Sequence, residues 1–134
     1  MTGRRRGARD DEEGSSAIEM VILFPVTLLV VLMIVQFGVW YHAAAIARAA
    51  AQEGVKTASA YGATAGAGRT RADAVLDRNG RGLIQGSAVA PFRDAAVARM
   101  TVTGFALTVV PVLHLPIRES ATAPVEAFRP PPGP

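Results

Sequence analysis

A carboxylate at the threshold of a long apolar run is the group in this sequence best placed to do chemistry. Asp10-Asp-Glu-Glu-Gly-Ser-Ser-Ala-Ile-Glu19 leads without a break into Met20-Val-Ile-Leu-Phe-Pro-Val-Thr-Leu-Leu-Val-Val-Leu-Met-Ile-Val-Gln-Phe-Gly-Val-Trp-Tyr41. An ionised carboxylate costs about 2.5–3.5 kcal/mol at the centre of a bilayer and less near its edge. Glu19 therefore has two readings. It extends the acidic run as far as the interface, or it is a buried functional charge that needs a cationic partner.

Other chemistry finds little support. The 134 residues contain no cysteine, which removes disulfides, thiol catalysis and thiolate metal sites together. There is no phosphate-binding glycine loop, no G-x-S-x-G and no H-E-x-x-H. With His42 and His114 as the two histidines, a metal site has no ligand set, and His42 reads as a polar neighbour of Trp40 and Tyr41. The expectation is a chain that is not an enzyme and takes no cofactor. A formal charge of +3 and a pI near 10.2 invite a nucleic-acid reading. The arginines are scattered, however, and no basic helix is interleaved with aromatics, so no nucleic-acid partner is expected.

The element that must position Glu19 is identified by length. About 22 nearly uninterrupted apolar residues suffice to cross a hydrocarbon core of roughly 30 Å at 1.5 Å per helical residue. A cleaved secretory signal has an apolar region of about 7–15 residues, so despite the A-x-A matches in Ala43 to Ala51 a retained helix is the better reading. Residues 1–14 form a charge-dense leader with Arg4, Arg5, Arg6 and Arg9, expected to be disordered in water. Arginines set topology, and beyond the run only Arg48 and Lys56 lie close. The N-terminus should stay in the cytoplasm, with membrane lipid around the helix and the C-terminal part outside.

Alanine-rich sequence after Tyr41 continues the helical pattern, giving an expected helix over 15–60 with a Glu53–Lys56 pair on its wet face. Pro25 removes a backbone donor and should bend this helix near residues 21–25. Trp40 and Tyr41 fall where an interfacial aromatic belt belongs. Residues 61–70 read as a flexible linker, and Thr70 to Asp73 has the spacing of a helix N-cap, predicting a short helix over 71–79 that resumes toward Ile84. Strand character recurs over 99–103, 107–110, 112–117 and 118–125. The expected class is α+β: a long N-terminal helix, then a small helix and an antiparallel sheet of about three strands over 71–128, closed by a Pro-rich tail at 129–134.

At this point the residues carry a resemblance. Gly14-Ser-Ser-Ala-Ile-Glu19, between a charged leader and an apolar helix, resembles the class III signal of type IV pilins and pseudopilins. Ile34 to Ala43, Ala47 to Lys56 and, more weakly, Ser120 to Phe128 are similar to TadE-like proteins of the tight-adherence (Flp, type IVb) pilus system. The resemblance implies cleavage by a prepilin peptidase between Gly14 and Ser15, which makes Glu19 the fifth mature residue. It further implies a charge pair between the new amine of Ser15 on one subunit and Glu19 on another. The implied partners are that peptidase, other pilins or pseudopilins and, indirectly, the assembly platform and its ATPase. Type IV pilins usually begin with a large apolar residue; Ser15 is small and polar, which favours a minor component. The competing expectation is an uncleaved single-pass membrane protein whose outer domain binds a cell-envelope partner.

Overall fold

The computed structural model describes residues 7–127, with side chains described from Glu19 onward. The arginines at 4–6, Phe128 and the expected tail at 129–134 lie outside the described residues. The architecture is α+β. A long apolar helix α1 (Gly7–Ser59) is followed by α2 (Ala65–Val75), which runs on into a π-helical turn (Leu76–Gly80). Three strands follow: β1 (Ile84–Arg93), β2 (Val97–Ala106) and β3 (Pro116–Pro124). They form an antiparallel sheet in the order β1-β2-β3.

The backbone of α1 is helical from Gly7, ahead of the expected start at Ser15. Contacts divide the chain into two units, Met1–Val35 and Gln36–Pro134. In the first, helix is assigned on both sides of Pro25. The Thr27 hydroxyl donates to the Leu23 carbonyl at 2.9 Å, which satisfies a side chain that otherwise has only apolar neighbours in sequence.

The second unit is built on the remainder of α1. Ala43, Ala47, Ala50, Ala51 and Ala58 recur at helical spacing and are fully buried. The inward face of β2 supplies the matching layer, since Ala98, Met100, Val102 and Ala106 alternate inward and are fully buried. Complete burial of Met100 and Val102 stabilises the fold by about 1.5–3 kcal/mol each. Small residues let the backbones approach. A Cβ on Gly68 would fall 2.6 Å from the Gly54 carbonyl oxygen and 2.9 Å from the Met100 methyl, so α2 crosses α1 at a glycine-to-glycine contact capped by Met100.

That contact explains one departure from expectation. The stretch expected as a linker is mostly helix, and the N-cap is Thr64 rather than Thr70. Thr64 Oγ1 accepts from the Ala67 amide at 3.1 Å, while the Thr70 hydroxyl donates to the Gly66 carbonyl inside the helix. Gly68, which looks like part of a linker, is there for the close crossing. Similarly, Glu53 accepts from Arg71 on α2 at 3.1 Å in place of the expected Lys56 pair.

The strands depart too. β1 was not foreseen, and 107–115 is a connection rather than strand. β1 begins with a bulge between Gln85 and Ala88, where Gly86 takes a φ of +59° that suits glycine. Its proline, Pro91, is tolerated because β1 is an edge strand. The β1–β2 turn is closed by Asp94, whose Oδ1 accepts from the amides of Ala96 (2.8 Å) and Val97 (2.7 Å). Those bonds, Val97 first, hold its carboxyl below the usual range. The C-terminus of α1 is closed by the sheet: Arg93 donates to the carbonyls of Ala58 (2.7 Å) and Ala60, and the Glu126 amide to that of Ser59 (2.9 Å).

Candidate assembly site

Gly14, Ser15 and Glu19 all lie on α1. The backbone of Gly14 and Ser15 is helical, and their side chains are outside those described. Ser15 and Glu19 are four residues apart, one above the other on one helix face. Glu19 is exposed and has neither hydrogen bond nor ion pair among the described residues. After it comes a helical surface that is apolar all round. Met20, Val21, Ile22, Leu23, Phe24 and Ile34 are between 57% and 73% exposed. A helix apolar on every side requires lipid or other helices around it. The stretch from Glu19 to Ser59 is long and apolar enough to cross a membrane.

At the other end of the apolar run the structure brings together residues the sequence did not connect. Gln36 is completely buried. Its Nε2 donates to the Leu107 carbonyl at 3.1 Å, and its Oε1 accepts from the amides of Val109 (2.6 Å) and Val110 (3.0 Å). One turn on, the Trp40 indole donates to the Pro116 carbonyl at 3.0 Å. Trp40, expected as an interfacial anchor, thus also ties the start of β3 to α1, whereas Tyr41 is 74% exposed. The signal for Gln36 was its amide in an otherwise apolar run, but its partners lie 71 to 74 residues away.

Farther along, Arg48 makes a two-pronged pair with Glu119 through Nε (3.1 Å) and Nη2 (3.3 Å). The hydrogen bond to Glu119 raises the arginine pKa above its usual value. A groove of about 500 Å³ is lined by His42, Ala45, Ile46 and Ala49 of α1 with Val75, Arg78 and Asn79. Among the described residues no group of three His, Asp or Glu side chains could hold a metal ion. The arrangement offers adhesion and a lone carboxylate at the head of an apolar helix.

No curated protein and no solved structure gives a match. The family model described as TadE-like protein matches residues 14–56. The match begins at Gly14 and runs through Glu19, the apolar surface, Gln36 and the buried alanine stripe, about a third of the chain. It does not extend to the β-strands, where the resemblance of Ser120 to Phe128 stands on the sequence alone. Over residues 14–56 the chain is similar to TadE-like proteins.

Proposed function

We propose that the chain is a minor, pilin-like subunit of a tight-adherence pilus, held in the cytoplasmic membrane by α1 with its N-terminus inside and the sheet domain outside. The observation that carries this reading is the family match starting at Gly14, directly ahead of Glu19 and a helix exposed on all its apolar sides. In this reading a prepilin peptidase cleaves after Gly14. The new amino group of Ser15, with a reference pKa of about 7.7–8.0, is largely charged at neutral pH. When helices leave lipid to pack against each other, an unpaired carboxylate would be strongly unfavourable. The Ser15 ammonium of a neighbouring subunit compensates Glu19, and the need for that pairing sets the axial register. The role is structural rather than enzymatic, and the pilus assembly platform and its ATPase act on the chain indirectly.

The test is the mature N-terminus. Intact mass and N-terminal sequencing of the protein from cells that contain the peptidase are expected to give Ser15. A chain that begins at Met1 or Thr2 would sink the proposal in favour of an uncleaved single-pass protein. Gly14→Val is expected to block processing and leave the longer form in the membrane.

A further inference from the structure

The connection between β2 and β3 combines features that water does not explain. Val112 has a φ of +67°, a left-handed conformation that is a rare outlier for a β-branched residue, and its side chain is 93% exposed. Around it Val109, Val110, Pro111 and Leu113 are apolar, and no Asp, Glu, Lys or Arg occurs between Met100 and Ile117. A loop in water commonly uses Gly or Asn at such a position, and charge or hydroxyl around it. Here a strained valine is presented at the tip.

The level of this loop along α1 is fixed by Gln36. A hydrocarbon core of about 30 Å takes about 20 helical residues, which counted from Met20 reaches Val39. Gln36 then falls in the last lipid-embedded turn, with Trp40 and Tyr41 just beyond it at the interfacial level. A side-chain amide is strongly disfavoured at that depth unless its hydrogen bonds are made within the protein. They are made by the Leu107 carbonyl and the Val109 and Val110 amides, so the loop must accompany Gln36 to the same depth. Phe37 and Tyr41, both at least half exposed, share this end of the unit.

We infer that the loop 107–115 is a second membrane contact, with Pro111 and Val112 dipping into the bilayer interface on the side of the sheet domain. This rests on reading the apolar part of α1 as membrane-embedded. At the loop's tip, Pro111 and Val112 offer apolar side chains with no charge to desolvate, and the titratable His114 lies two residues beyond. The loop gives the sheet domain a membrane contact of its own, separate from the spanning helix. Gln36 is the positioning residue, and Val112 the residue that touches lipid.

Because the chain has no cysteine, single cysteines can report local surroundings directly. Val112→Cys, Val30→Cys and Ala88→Cys, each carrying an environment-sensitive fluorophore, are reconstituted as the full chain in phosphatidylcholine–phosphatidylglycerol vesicles. The vesicles contain lipids with a nitroxide at a shallow or a deep acyl position. The expected result is deep quenching at Val30, shallow quenching with a blue-shifted emission at Val112, and an aqueous, unquenched signal at Ala88. An aqueous Val112 signal beside a quenched Val30 overturns the inference and leaves the membrane anchor standing. An unquenched Val30 overturns both. A Val112 signal that is blue-shifted without lipid quenching, and reverts on dilution of the protein in the vesicles, places a neighbouring subunit on the loop and overturns the lipid contact.

Discussion

Gln36 shows how one side chain can organise a distant segment. Its three hydrogen bonds satisfy backbone groups of a loop that has no secondary structure of its own. In Gln36→Leu, a substitution of similar size, the Leu107 carbonyl and the Val109 and Val110 amides lose their partner. Unsatisfied buried groups cost about 1–3 kcal/mol, and these backbone groups are partly buried, so a loss toward the lower end of that range is expected. Denaturant unfolding of the full chain in detergent should show it as a shifted midpoint, with faster amide exchange at Val109 and Val110. Asp94 works on a smaller scale and in the open. Its folded pKa is depressed by the Val97 and Ala96 amides, so its contribution is present above the unfolded value of about 3.9 and is lost as pH falls through the folded value. Asp94→Ala should lower stability at neutral pH. It should also flatten the acid limb of a stability–pH curve below about pH 4.

At the level of elements, two glycines two residues apart in sequence should respond oppositely to the same substitution. A Cβ on Gly68 meets the Gly54 carbonyl oxygen at 2.6 Å and the Ala58 Cβ at 2.7 Å, distances that force the two helices apart. Gly68→Ala should therefore destabilise by about 1–3 kcal/mol, as overpacking does. At Gly66 the nearest atom is Thr64 Oγ1 at 3.8 Å, so Gly66→Ala removes a poor helix former at no steric cost. It should stabilise by up to about 1 kcal/mol, and thermal unfolding of the two variants side by side reads the sign. The same pair explains what the sequence could not disclose. α1 was legible because its apolar length and alanine period need no partner to be recognised. α2 was misplaced because Gly62 to Gly68 has linker composition, and only the crossing with Gly54 and Met100 reveals why glycine stands there. β1 carries Gly86, Ser87 and Pro91 and becomes a strand through its pairing with β2. Val109 and Val110 have strand propensity but are captured by Gln36 instead.

For the whole molecule, the division at Val35 separates two kinds of adhesion. The second unit is internally satisfied: its buried alanine stripe meets β2, its ion pairs close on themselves, and no described buried side-chain polar atom lacks a partner. The first unit is the reverse, an apolar surface and a carboxylate with no partner among the described residues. On the proposed reading, assembly is expected to depend on Glu19. Glu19→Ala removes the charge but leaves Gly14 and Ser15 in place, so processing to Ser15 is expected to continue while incorporation into the assembly is lost. Glu19→Gln keeps the shape and hydrogen-bonding capacity without the charge. If the ammonium of Ser15 on a neighbour is what Glu19 requires, this variant should fail as severely as alanine. The readout is the ratio of processed chain in sheared filaments or crosslinked assemblies to processed chain in the membrane. Normal incorporation of processed Glu19→Gln would leave the apolar surface as the determinant of assembly, and register would have to come from the fit of helix against helix.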